Sequence, residues 1–245
     1  MMTRDLARVG TSALKAQADA CKVAAGRPRV TVALKGQKEL SHETSEGERQ
    51  AAREIMETSM RLPVLSPAEL TDEQKPLYED MRAGIQSHFK GFLNVRSDGA
   101  LLGPWNPWIR EPKFGRPVWE LVKTIVAQPS LPAAVREVAI LVTGAHFRSA
   151  YELYAHVLVA EQRGLSDEKL ATIVAGQRPP DLTRHEAVAY DFASALVNGG
   201  VLPELSYKAA VQEFGEHGAA ELSYLVAVYC LVSVTLNTFD VPVPG

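Results

Sequence analysis

The sequence predicts an all-α fold of roughly seven or eight helices. Three observations predict it. Apolar residues recur at spacings of three and four, helix-start signals precede the apolar runs, and no segment after residue 60 alternates with period two between hairpin turns. The chain has 245 residues, of which 46% are hydrophobic, 22% charged and 7% aromatic, enough for one sizeable core. That composition excludes collagen-like, wholly disordered and disulfide-scaffold classes. No internal repeat is found.

Residues 1–38 carry eight basic side chains against Asp5 and Asp19, and residues 39–60 turn acidic, with six acidic against two basic. Their apolar content is mostly Ala and Val without a sustained helical period. Residues 1–60 are therefore expected to be a disordered N-terminal extension, with an organelle transit peptide or a misassigned start as rival readings. The expected domain spans residues 61–245.

Within that domain, Thr71-Asp72-Glu73-Gln74 has a capping-box pattern and Pro76 suits the first turn of a helix carrying Leu77, Tyr78, Met81 and Ile85. Residues 99–117 are rich in Gly, Pro and Trp and should be irregular or hold only short helix. A helix is expected from after Pro117 to about Ala127. Ser130 is read as the cap of a second helix, with Pro132 in its first turn, running through Arg136 and Leu141. A third covers about 149–163 and stops at Gly164, and Ser166-Asp167-Glu168 caps the next, which ends near Gly176. Thr183 and Glu186 open another that stops at Asn198-Gly199-Gly200. Two more follow, about 203–214 and 219–236.

The apolar stretch Leu222–Leu236 is 15 residues long and contains Ser223, Tyr224, Ser233 and Thr235. It falls short of the roughly 20 apolar residues that span a bilayer, so it reads as a buried core helix. Net charge is −3 from 26 Lys+Arg against 29 Asp+Glu, which gives no broad electrostatic case for nucleic acid or an anionic membrane. Cys21 and Cys230 form neither a disulfide framework nor a CxxC pair, which fits a reducing, cytoplasmic setting.

Phosphate-cradling glycine motifs, a GxSxG elbow and HExxH are absent from the sequence. What stands out is Arg136-Glu137 together with Tyr151-Glu152-Leu153-Tyr154-Ala155-His156. Glu152 and His156 are spaced i,i+4, so they share one helix face and are within reach of a hydrogen bond. A carboxylate that holds one imidazole nitrogen leaves the other for proton transfer near neutral pH. A helical hairpin would bring Glu137 to the same place. The expected roles are His156 as the acid–base residue, Glu152 as its orienting partner and Glu137 as a relay or outer group.

For substrate binding, Arg136 is the first candidate for holding a carboxylate, with Arg110 and Arg148 behind it. Tyr151, Tyr154 and Trp105 are expected to shape the pocket, and His146 is a further participant near the helix junction. His88, His185 and His217 read as surface or helix-end residues. No metal and no cofactor are expected, since Glu152, His156 and His146 lack a recognised ligand spacing.

The segment Arg136-Glu137-Val138-Ala139-Ile140-Leu141, then Tyr151-Glu152 and His156, then Gly164-Leu165-Ser166-Asp167-Glu168 resembles the carboxymuconolactone decarboxylase family. Gly103-Pro104 with Pro112, and Asn237 with Val241-Pro242, resemble its flanking loop and C-terminal ending. The resemblance covers about residues 62–245. It implies an all-helical bundle shared with alkylhydroperoxidase D (AhpD) and assembly into an obligate homo-oligomer, a trimer or a hexamer.

In the peroxidase branch of that family a Glu works with a CxxC pair and a downstream His. Here the two cysteine positions would fall on Ser149 and Glu152, so dithiol chemistry is not expected and the chain is similar to the cysteine-free branch. The resemblance implies a cofactor-free enzyme acting on a small carboxylated or lactone-type metabolite, with decarboxylation as the leading reaction. Peroxide reduction through Cys230 and a non-catalytic oligomeric binding protein are the alternatives. Neither nucleic acid nor a membrane is an expected partner.

Overall fold

The computed structural model describes residues 61–127 and 129–244. The expectations for residues 1–60 and for Cys21 lie outside the described residues. Among the described residues there are eight α-helices and one 3-10 turn, with a single isolated β-bridge, Val95 to Leu101.

Helix α1, Lys75–His88, opens with Pro76 in its first turn and buries Leu77, Tyr78, Met81 and Ile85, the stripe that its spacing specifies. The Thr71 backbone N–H donates to Gln74 Oε1 at 3.0 Å, one half of a capping box just ahead of it. Helix α2, Trp105–Arg110, is short, as expected from the glycines and prolines of the segment around it.

Helix α3, Pro112–Ala127, starts six residues earlier than the sequence suggests and runs through Pro117. Pro112 supplies a preorganised first position. A Cβ on Gly115 would lie 2.0 Å from the Trp108 carbonyl oxygen, so the tight α2–α3 corner needs glycine there.

Helix α4, Ala133–Phe147, is the central element and packs against α5, α6, α7 and α8, the helices that follow it in the chain. It is apolar on most of its circumference, which is the signature of a helix buried on all sides. Ser130 does not cap it. The position before it is Pro132, and Ser130 N–H instead donates to Glu221 Oε2 at 2.7 Å, tying the α3–α4 connection to the last helix.

Arg148, in the left-handed region at φ 51°, turns the chain into α5, Ala150–Gln162. Helix α6, Asp167–Val174, is capped by the Ser166 hydroxyl, and α7, Arg184–Val197, by the full Thr183–Glu186 capping box.

Helix α8, Glu204–Thr238, contains a break at Gly215, with φ 71° and ψ 174°, so the two helices expected there are two rods joined at a kink. Its second rod buries Leu222, Leu225, Val226, Tyr229, Val232 and Leu236 in the core while Tyr224, Leu231 and Val234 face outward. By length and composition α8 is apolar enough to cross a membrane, yet half of its most apolar window is buried inside this fold.

Candidate active site

The α4–α5 hairpin brings Glu137 and His156 together. Both are buried, and His156 Nδ1–H donates to Glu137 Oε2 at 2.8 Å. His156 Nε2 lies 3.5 Å from Glu152 Oε1, one turn earlier on α5. The hydrogen-bonding partner that fixes the imidazole is therefore Glu137, and Glu152 takes the other face. This reverses the roles expected from spacing. An i,i+4 pair shares a face, but an opposing helix offers a straighter approach to the ring edge.

Burial alone would depress the imidazole's pKa, but the charges of Glu137 and Glu152 and the Glu137 hydrogen bond outweigh it and raise the value. Glu152 moves the other way from an ordinary carboxylate. Desolvation, only partly offset by His156 and reinforced by Glu137, pushes it up to about 7. Its Oε1 has no hydrogen-bond partner among the described residues. A carboxyl poised between its two protonation states at neutral pH, beside an imidazolium, is equipped to give or take a proton.

Beside this pair is a narrow pocket with a cavity volume of about 30 Å³. Glu152 and His156 form its polar end. Trp105, Trp108, Phe89, Phe92, Tyr151 and Tyr229 supply aromatic walls. Tyr229, from α8, packs edge-on to the His156 ring with centroids 5.0 Å apart. Burial first, and then the charges of Glu152 and Glu137, raise its phenol well above the usual tyrosine value, so it stays a neutral hydroxyl.

Of the residues expected to bind substrate, Trp105 and Tyr151 line this pocket and Arg136, Tyr154 and His146 do not. Arg136 donates to the Ile125 carbonyl at 3.2 Å and lies 3.8 Å from Glu221, so its guanidinium serves the packing of α4. Arg110 donates to the Pro63 carbonyl, and Arg148 is exposed at the α4–α5 corner. Tyr151 Oη–H donates to the Leu93 carbonyl at 3.1 Å, and Tyr154 Oη accepts from the Leu93 N–H at 3.2 Å, so both hydroxyls pin one loop residue. His146 is exposed and edge-on to Phe147. His88, His185 and His217 are exposed, as expected.

Cys230 is partly buried on α8 and is not among the residues lining the pocket; burial raises its thiol pKa. Among the described residues no group of three or more His, Cys, Asp or Glu is arranged to hold a metal ion.

Sequence reasoning missed Tyr229, Phe89 and Phe92. The signal for Tyr229 was present: it falls on the stripe of α8 that carries Leu222, Leu225, Val226 and Val232, where a polar-tipped side chain has to be accommodated inside.

Residues 112–195, from α3 into α7, match the model of the carboxymuconolactone decarboxylase family. No curated protein sequence matches the chain significantly. Among solved structures, the chain is similar to the debrominase Bmp8 in a cysteine-to-alanine variant bound to 2,3,4-tribromopyrrole. That match has 15% identity and a TM-score of 0.55, covering 74% of this chain and 90% of that one. It is also similar to an alkylhydroperoxidase AhpD core, an uncharacterized peroxidase-related protein from Ralstonia eutropha JMP134. There the identity is 17% and the TM-score 0.56, covering 76% of this chain and 92% of that one. The matched segment contains Glu137, Glu152 and His156, and the chain shares an all-α, AhpD-like fold with these structures.

Proposed function

We propose that the chain is a cofactor-free acid–base enzyme acting on a small lactone-type or carboxylated metabolite, with Glu152 as the group that moves the proton. The observation that carries this reading is the buried Oε1 of a carboxyl held near pKa 7 in an aromatic pocket, without a hydrogen bond among the described residues and in ion-pair contact with His156 at 3.5 Å. In its ionised form Glu152 would take a proton from carbon next to a carbonyl, and the electron pair would pass into that carbonyl as an enolate. Returning the proton at another carbon completes an isomerisation. In its protonated form it would supply the proton to the carbon that loses carbon dioxide, which is the decarboxylation that the family's name suggests.

His156 and Glu137 act together here. The imidazolium stabilises the ionised form of Glu152, and Glu137 fixes the ring and its charge. Thiol chemistry is the weaker reading, because Cys230 is not among the residues lining the pocket and burial raises its thiol pKa, so it supplies little thiolate.

The test is a panel of lactones, carboxylated lactones and β-keto acids, followed for isomerisation and for released carbon dioxide. Turnover that falls at least about a hundredfold in both Glu152→Gln and His156→Ala, with both variants folded, supports the proposal. Turnover retained in both variants overturns it, and ligand affinity retained without turnover in the wild type favours a binding protein.

Assembly as a homo-oligomer, a trimer or hexamer, is part of the same proposal. Its support is the outward face of α8, where exposed Ala220, Tyr224, Ala227, Leu231 and Val234 follow spacings of four and three, the pattern that lets helices pack against copies of themselves.

A further inference from the structure

Two polar atoms of pocket-lining residues are buried and lack a hydrogen-bond partner among the described residues: Trp105 Nε1, a donor, and Glu152 Oε1, an acceptor whose polar contact is the 3.5 Å ion pair with His156 Nε2. Both side chains are more than nine-tenths buried. Orphaned buried polar atoms are rare in folded proteins, because each forfeits its hydration without recovering a bond. The contrast within this chain is direct. Trp119 is buried as deeply, and its Nε1–H donates to Asp80 at 2.9 Å. Trp105 is instead held by rings, Phe89 edge-on at 5.2 Å and Phe92 stacked at 6.4 Å, with no acceptor beside its nitrogen.

The charge of the pocket is equally one-sided. Among the described residues no lysine or arginine lines it, and its ionisable members are Glu152, His156, Tyr151 and Tyr229. The imidazolium is already matched by Glu137 and Glu152. A substrate carboxylate would enter an apolar chamber beside a second carboxyl with no free cation to receive it, which is strongly unfavourable. Aromatic walls favour a flat ring, which they can stack on or meet edge-on.

From this geometry we infer that, of the two substrate classes left open above, the site takes the lactone type and not the carboxylated one: an uncharged, flat ring bearing a carbonyl, whose oxygen accepts from Trp105 Nε1–H while a proton-bearing atom of the ring faces Glu152. Trp105 is then the anchor that sets which atom meets the carboxyl, and its N–H also stabilises negative charge that develops on the carbonyl oxygen during proton abstraction. The inference rests on the reading of this pocket as the reaction site.

Three probes test it: the unsubstituted butenolide ring, its carboxylate-bearing analogue, and dihydrofuran, which has no carbonyl. The indole N–H resonances of the intact protein are followed during titration, with that of Trp105 identified by its loss in Trp105→Phe. Butenolide is expected to move the Trp105 resonance and to bind at least about tenfold more tightly than the carboxylate-bearing ring. Trp105→Phe, which keeps an aromatic wall, is expected to weaken butenolide about three- to tenfold while leaving dihydrofuran unchanged.

A Trp105 resonance that no probe moves, or tighter binding of the carboxylate-bearing ring, overturns the inference. Exchange of butenolide ring protons with deuterated water, compared between wild type and Glu152→Gln, tests the acid–base reading separately. The expected binding pattern without exchange keeps the anchor and removes the reaction. Exchange with the opposite binding preference does the reverse.

Discussion

Glu137 and His156, on two different helices and 19 residues apart, share a buried hydrogen bond of 2.8 Å that fixes the imidazole in the core of the α4–α5 hairpin. The pair is shielded from solvent, so its partners compensate each other's charge with little help from water. Removing one side of such a pair costs more than the pair's own net contribution. Glu137→Gln keeps the volume and an acceptor but removes the charge. It is expected to lower the His156 pKa, cut turnover and destabilise the fold by about 1–3 kcal/mol. A proton-detected titration of His156 and a denaturant melt of the variant measure both effects.

Stability should fall as pH rises through this site. Glu152 has its folded pKa raised from 4.5 to about 7, so the native state holds its proton more tightly than the unfolded chain. The fold is therefore progressively penalised between those two values and fully penalised above 7, by an amount on the order of 3 kcal/mol. His156 acts with the same sign. Its raised folded value contributes stability below the unfolded value of 6.5, which is lost as pH rises through the folded one. Glu152→Gln is expected to gain thermal stability over wild type above pH 7 and to match it near pH 4. A pH series of melting curves checks this.

Turnover should have a bell-shaped pH dependence if abstraction limits the rate. The rising limb follows ionisation of Glu152 near pH 7, and the falling limb follows loss of the proton from His156. The two values belong to the coupled cluster rather than to single residues. In His156→Gln the falling limb is expected to disappear.

The outward face of α8 leaves Tyr224 at 63% and Val234 at 50% exposure, with Leu231 between them. Apolar side chains in a seam of this kind are normally covered by another helix. Light scattering of the wild type is expected to report a trimer or hexamer, and Leu231→Glu with Val234→Glu is expected to yield a folded lower-order species. A monomeric wild type would refute the assembly.

Much of this architecture was legible in the sequence. The capping residues Thr183 and Ser166 and the glycine stops 164 and 199 mark helix ends because capping is local chemistry. Ser130 misled for the opposite reason. A hydroxyl three residues ahead of a helix is a plausible cap, yet its partner, Glu221, is 91 residues away and no local pattern points to it.

The same limit applies to the site. Glu152 and His156 were visible as an i,i+4 pair, but the decision between Glu137 and Glu152 as the ring's hydrogen-bond partner depends on how two helices are rotated against each other. Arg136 was the natural anion binder by proximity in sequence. One helical position turns it away from Glu137 and toward Ile125 and Glu221.

Burial makes Glu152 a carboxyl that exchanges its proton near neutral pH. Carboxyl carbon-13 shifts of glutamate-labelled protein, with the Glu152 signal identified by its loss in Glu152→Gln, measure this directly. A Glu152 midpoint near pH 7 is expected, moving upward in His156→Ala, where the stabilising imidazolium is gone. A midpoint near 4.5, unchanged by that substitution, would contradict it.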